Sequence, residues 1–258
     1  LELTARVLKL TLAYDGTDFV GWQRQAEGVS IQGLLEDALQ PIEGSHVAVH
    51  GAGRTDAGVH AFRQVASVTL STELDNSTLG RALNAVLPPE VRVIEVADAP
   101  PGFHARFSAT GKIYEYRIVN GPVVSPFIRR FVWHVIPPLN IEAIREASKD
   151  LIGTHDFAAF QGAGTTVAST ERTIRRLDWH SGLDLRTDGS KDPGTHVMEI
   201  EGDGFLRHMV RTIVGTLVEI GLGRWKPADM QRILDSRDRS QAGTTAPAQG
   251  LVLMRVLY

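Results

Sequence analysis

The sequence predicts an α+β fold in which sheet layers carry helices on one face. Strand-like runs gather in clusters separated by single amphipathic helices, and each half of the chain shows the same rhythm of strands broken by two helices. Composition agrees. With 258 residues, 43% hydrophobic and 22% charged, the chain has the length and apolar content to bury a core without staples. That length fits one large domain or two modest ones. No residue-level repeat is visible, so a duplicated unit rests on the order of elements alone.

Val7–Tyr14 is the first strand. The first helix lies in SIQGLLEDALQPI, where Ile31, Leu34, Leu35, Ala38, Leu39 and Ile42 form one stripe and Ser30 is placed to cap it. Gln64–Leu70 reads as a strand, Ser77–Val86 as a helix stopped by Pro88-Pro89, and Val91–Val96 as a strand. In the second half, Ile113–Val119 and Phe131–Val135 are strand-like. A third helix opens after Asn140 with Ile141, Ile144, Leu151 and Ile152 on one face. Strands follow at Ile174–Trp179 and Val197–Glu201. The longest helix carries Leu206, Met209, Val210, Ile213, Leu217 and Ile220, and ends at Gly221 and Gly223. Leu251–Leu257 is the last strand.

The best boundary lies near residues 98–111, rich in Pro, Gly and small residues, and divides the chain into 1–106 and 107–258. Gln161–Ser169 (QGAGTTVAS) suits a mobile binding loop, and Thr187–Thr195 (TDGSKDPGT) reads as a surface hairpin turn.

Net charge is −3, but it is unevenly placed: −6 over residues 1–100, +4 over 101–135 and −1 over 136–258. The basic stretch holds Arg106, Lys112, Arg117, Arg129 and Arg130. It is either a local polyanion site or a solvated strand face. The chain has no cysteine, which excludes disulfides, thiolate metal sites and a cysteine nucleophile. No run approaches the ~18 apolar residues of a membrane span, and LELTARVLKL lacks the form of a signal peptide. The expectation is a soluble, cytoplasmic protein with no membrane partner.

The densest special segment is HGAGRTDAGVH (His50–His60). Its glycines let a partner approach the main chain. Asp56 either closes a turn through its own backbone or serves as a nucleophile or general base beside an arginine. Neither nucleotide-binding glycine pattern fits, which argues against a kinase or a nucleotide-dependent oxidoreductase. No H-x-H pair occurs among the nine histidines, and His46 and His50 form the one H-x-x-x-H spacing; no metal site is expected. No G-x-S-x-G elbow occurs. Carboxylate, tyrosine and arginine chemistry remain.

In FHARFSATGKIYEY, Phe103, Phe107, Tyr114 and Tyr116 interleave with His104, Arg106 and Lys112. Such a pattern either stacks bases and binds phosphates or forms a half-buried strand with both tyrosines on one face. In GDGFLRHMVRTIVG, Arg207 and Arg211 stand at i, i+4, hence on one side of a helix, amid apolar neighbours. A partly buried arginine there would need an anionic partner.

GRTDAGVHA (Gly53–Ala61) resembles the signature of the tRNA pseudouridine synthase A family. YDGTDFVGWQRQ (Tyr14–Gln25), FHARFSATGKIYEYRI (Phe103–Ile118), GTHDFAAF (Gly153–Phe160), ERTI (Glu171–Ile174), GFLRHMVRTIVGTL (Gly204–Leu217) and TAPAQGL (Thr245–Leu251) resemble further blocks of that family, in order. The resemblance spans essentially the whole chain, with departures at Phe19-Val20 and Phe62-Arg63.

It implies an isomerase without cofactor or metal, one that breaks the N1–C1′ bond of a uridine, rotates the uracil and rejoins it through C5. The family's targets are nucleotides 38, 39 and 40 of the tRNA anticodon arm. By motif, Asp56 is the nucleophile, Tyr114 stacks on the target base and is suited to proton handling at C5, and Arg211 pairs with Asp56. Arg54 helps open the RNA. Phe103, His104, Arg106, Phe107, Lys112, Arg129, Arg130 and Arg207 are the expected wider RNA-binding set. The resemblance also implies a homodimer with basic clefts. Its fold has two pseudo-symmetric α/β subdomains sharing one mainly antiparallel sheet: 1–106 carries the Asp loop, and 107–258 the Tyr and Arg, with the active-site cleft between them. A tRNA-binding relative without catalysis would show a substituted Asp56, Tyr114 or Arg211, and all three are present.

Overall fold

The computed structural model describes residues 5–164, 167–182 and 194–258. It is α+β, with mainly antiparallel strands, and falls into two compact units: Leu1–Thr110 with Val252–Tyr258, and Gly111–Leu251. The division differs from the expected one at the C-terminal strand. Val252 and Leu253 pair in parallel with His60 and Ala61, so backbone hydrogen bonding ties this strand to the first unit.

The first unit runs β1 (Arg6–Tyr14), α1 (Ile31–Glu43), β2 (His50–Gly51), β3 (His60–Leu70), α2 (Asn76–Val86) and β4 (Val91–Asp98). The last strand, β10 (Leu251–Leu257), adds to it, and the order is β4-β1-β3-β10. Leu8, Leu10 and Leu12 of β1 are fully buried, as strand alternation demands for one face. The predicted cap of α1 is present: Gly33 N–H donates to the Ser30 side chain, and Gly44 ends the helix at φ 75. Asp75 caps α2, and the Asn84 amide docks that helix on β4 through two 2.8 Å bonds with the Val93 backbone.

The second unit contains β5 (Gly111–Asn120), β6 (Trp133–Val135), α3 (Ile141–Ser148), β7 (Gly153–Asp156), β8 (Glu171–Ser181), β9 (Thr195–Gly202), α4 (Met209–Gly221) and α5 (Asp229–Ser236). Strands β5-β9-β8-β7 are antiparallel neighbours, and β6 pairs with β5 in parallel. The core of this unit sits on α4, where eleven of thirteen residues are buried.

Several expectations needed correction. Residues 129–131 form a short 3₁₀ turn, so the strand expected from Phe131 begins at Trp133. Helix α3 stops at Ser148 and a 3₁₀ turn follows, which leaves Ile152 45% exposed and off the buried face. Helix α4 begins at Met209 because His208 adopts φ 61, so Leu206 and Arg207 precede it. The short elements β7 and α5 were not foreseen. Residues 187–193 of the expected hairpin turn, and 165–166 of the QGAGTTVAS loop, lie outside the described residues.

Candidate active site

In the first unit the loop carrying Asp56 joins β2 to β3. It lies against the segment after β1, and glycine is required at that contact. At Gly16 a Cβ would collide with the Val59 carbonyl. At Gly21, where φ is +102, a Cβ would sit 2.6 Å from the Thr55 carbonyl oxygen. The Trp22 N–H donates to that same oxygen at 3.0 Å, and Val59 N–H closes the turn on the Asp56 carbonyl at 3.1 Å. Side chains anchor the loop from beneath. Buried Tyr14 shares a 2.9 Å bond with Thr55 Oγ1, and buried Gln64 donates to the Gly53 carbonyl at 3.0 Å and to the Tyr14 hydroxyl at 3.4 Å. Burial pushes the Tyr14 hydroxyl pKa up to about 12, against the pull of its bonds to Thr55 and Gln64. The phenol therefore stays neutral and structural. Its neighbour His60 is buried, with Nδ1 3.1 Å from Asp15 and 3.0 Å from Gly16 N.

On this frame Asp56 is half-buried and Arg54 exposed. Main-chain bonds at the Thr55 and Asp56 carbonyls fix the backbone that carries this carboxylate, and a fixed backbone favours a reproducible position for a reacting group. The same unit gathers Phe103, His104, Arg106 and Phe107. His104 stacks on His50 at 5.0 Å and packs tilted against Phe107 at 4.4 Å, and the Arg106 guanidinium lies 5.6 Å from the Phe107 ring. His104 Nδ1 accepts from the Arg106 N–H at 3.1 Å. Burial first, then the His50 and Arg106 charges, push its pKa below the ordinary imidazole value. Phe107 is 76% exposed, an apolar ring offered to solvent and able to stack.

In the second unit Tyr114 and Tyr116 share the buried face of β5, as alternation predicted. Phe205 packs edge-on to Tyr114 with centroids 5.3 Å apart. Tyr116 serves the core: its hydroxyl donates to the Pro247 carbonyl at 2.7 Å, and burial raises its pKa well above the phenol range. Arg211, in the first turn of α4, is half-buried. Its Nε donates to the Ala246 carbonyl at 2.8 Å, while the Ala246 N–H donates to the Arg211 carbonyl at 3.1 Å. This reciprocal pair ties the Thr245–Leu251 block to α4 and fixes the guanidinium.

The shared helical side expected for Arg207 and Arg211 does not exist, because the left-handed His208 separates Arg207 from the helix. Arg207 instead donates to the Ala163 carbonyl at 2.7 Å. Arg129 and Arg130 are exposed and Lys112 is half-buried. Arg117 is spent locally on Glu115 at 2.7 Å, so it adds little positive field to the basic stretch.

Residues 11–108 and 147–258 match the family model described as tRNA pseudouridine synthase. The chain belongs to that family. It is 43% identical over 253 residues to "tRNA pseudouridine synthase A" of Thermoanaerobacter sp. (strain X514), covering 98% of this chain and 100% of that protein. It is 45% identical over 256 residues to the protein of the same name from Solidesulfovibrio magneticus, covering 97% and 90%. Within the family frame, Asp56 and Arg211 fall inside the matched segments, and Tyr114 falls in the stretch between them.

Sequence reasoning missed the supports of the Asp56 loop. Tyr14, Thr55 and Gln64 carry polar groups at buried positions, and a glutamine among the apolar residues of β3 was the available signal. Phe205, beside Tyr114, had none.

Proposed function

We propose that this chain isomerises uridine to pseudouridine in tRNA, at positions 38, 39 and 40 of the anticodon arm, without cofactor or metal. Family membership over nearly the full length carries the reading, and the braced loop that bears Asp56 is consistent with it. Asp56 is the nucleophile. The target base must leave the stack, which costs a few kcal/mol. Tyr114 stacks on the flipped base and Arg54 fills the gap, which offsets that cost. Arg211 is the basic partner of the Asp56 carboxylate.

Phe103, His104, Arg106, Phe107, Lys112, Arg129, Arg130 and Arg207 contact the RNA, through stacking for the rings and phosphates for the cations. The active species is a homodimer. Carbodiimide labelling and primer extension on unmodified tRNA test the reading: stops are expected at positions 38–40 after incubation with the protein. No new stop at these positions after incubation with the protein, while an RNA already containing pseudouridine gives its stop, would overturn it. Light scattering in the same buffer is expected to give the mass of two chains.

A further inference from the structure

We propose that a groove on the first unit's sheet, lined by Lys9, Arg63 and Arg255, holds the sugar-phosphate backbone of the RNA substrate. It deepens the function proposed above and rests on tRNA being the substrate. The groove is a cavity of about 180 Å³ lined also by Thr11, Val65, Glu95 and Val256. Its cations come from three neighbouring strands, β1, β3 and β10. Lys9 and Thr11 alternate with the fully buried Leu8, Leu10 and Leu12, so the groove lies on the face opposite that core.

Three cations and one carboxylate line this groove, an excess of positive charge that suits an anionic ligand. Strands β3 and β10 run parallel with Leu253 beside Ala61, and Arg63 and Arg255, each two residues further on, both line the groove. Like charges brought together on neighbouring strands repel. Among the described residues, neither arginine has a hydrogen bond or ion pair, and the groove's one carboxylate, Glu95, stands on β4 beyond β1. Lys9 and Arg63 belong to the stretch 1–100, whose balance with them included is −6, so these cations are gathered here against the charge of their surroundings. Guanidinium forks match phosphate oxygens in pairs.

What points to RNA is continuity with the ring cluster of the same unit. The Lys9 ammonium lies 5.1 Å from the centre of the Tyr258 ring. Tyr258 in turn packs on Phe103 at 5.1 Å and donates to the Ala105 carbonyl at 2.8 Å. The groove thus abuts the Phe103–Phe107 segment, so a strand stacked on those rings has its phosphates within reach of the cations.

The test is filter binding of unmodified tRNA across a salt series, with single-turnover rates at saturating protein. Arg63→Gln with Arg255→Gln is expected to weaken binding roughly tenfold and to lower the slope of log affinity against log salt by about 1.4–1.8, two phosphate contacts. The saturated rate stays within twofold of wild type. Glu95→Gln is expected to do the reverse, tightening binding and steepening the slope, which guards against a folding artefact in the double variant. Unchanged affinity and slope in both variants would overturn the groove while leaving the catalytic reading intact. A wild type that binds tRNA but forms no pseudouridine would overturn the catalytic reading, and the slopes would still decide the groove. A wild type that does not bind tRNA overturns both.

Discussion

Gly21→Ala should disable the chemistry while leaving tRNA binding nearly untouched, although residue 21 carries no reacting group. Its added methyl would sit 2.6 Å from the Thr55 carbonyl oxygen and 3.1 Å from both Asp56 C and Ala57 N. Ordinary non-bonded contact begins near 3.5 Å, so the loop must retreat by close to 1 Å, and Asp56 is the next residue. A 1 Å misplacement of a reacting group costs about 10²-fold in rate. Holding alanine at φ +102 adds backbone strain of about 1–3 kcal/mol, which lowers Tm by a few degrees in a domain of this size. Tritium release from [5-³H]uridine-labelled tRNA under single turnover reads the chemistry, and filter binding reads Kd. Gly44→Ala is the control: at φ +75 with nothing within 4 Å, it carries strain but pushes on nothing. It should lower Tm comparably and leave the rate unchanged. A Gly21→Ala enzyme with a wild-type rate, or a Gly44→Ala enzyme equally slow, would refute the argument from loop contact.

Other perturbations separate the remaining parts. Arg211→Ala leaves the Ala246 carbonyl without its donor, a loss of about 1–3 kcal/mol, so calorimetry should show a lower Tm together with a reduced single-turnover rate; Arg211→Lys, lacking the fork, should recover Tm more than rate. His104 has a folded pKa below its unfolded value of about 6.5, so the unfolded state binds more protons beneath that pH. Its contribution is fully present above about pH 6.5 and is lost as pH falls toward the folded value, and His104→Asn should melt with a shallower pH dependence there. Arg129→Glu with Arg130→Glu should flatten the salt dependence of tRNA affinity and raise KM, with a smaller effect on the saturated rate. An unchanged salt slope would make those arginines a solvated face.

Elements with strong local signals were legible in the sequence. The α1 stripe and its Ser30 cap agree, and the structure places the helix within a residue of expectation. The eight-residue α5 has buried Met230, Ile233 and Leu234 at helical spacing, but so short a run gives periodicity little to work on. Strand β7, reading GTHD, has no apolar alternation, since it is a short strand at the end of its sheet path. The spacing of Arg207 and Arg211 misled because His208 takes a left-handed backbone, which nothing in its identity announces. In the candidate site, the residue types of the Asp56 loop were readable, whereas the need for glycine at positions 16 and 21 was not. That need comes from chain segments more than thirty residues away, Thr55 to Val59, and shows only once they are brought together.

The most direct test of the account is tritium release from [5-³H]uridine-labelled unmodified tRNA by the wild type and by Asp56→Asn, with Kd measured beside it. The substitution keeps the loop's shape and removes only the charge. The account predicts tritium release by the wild type, none above background for Asp56→Asn, and tRNA affinity within about twofold, since affinity rests on cations neutralising phosphates and one carboxylate fewer removes none of them. Release by Asp56→Asn at a rate near wild type, or no release by the wild type, would contradict it.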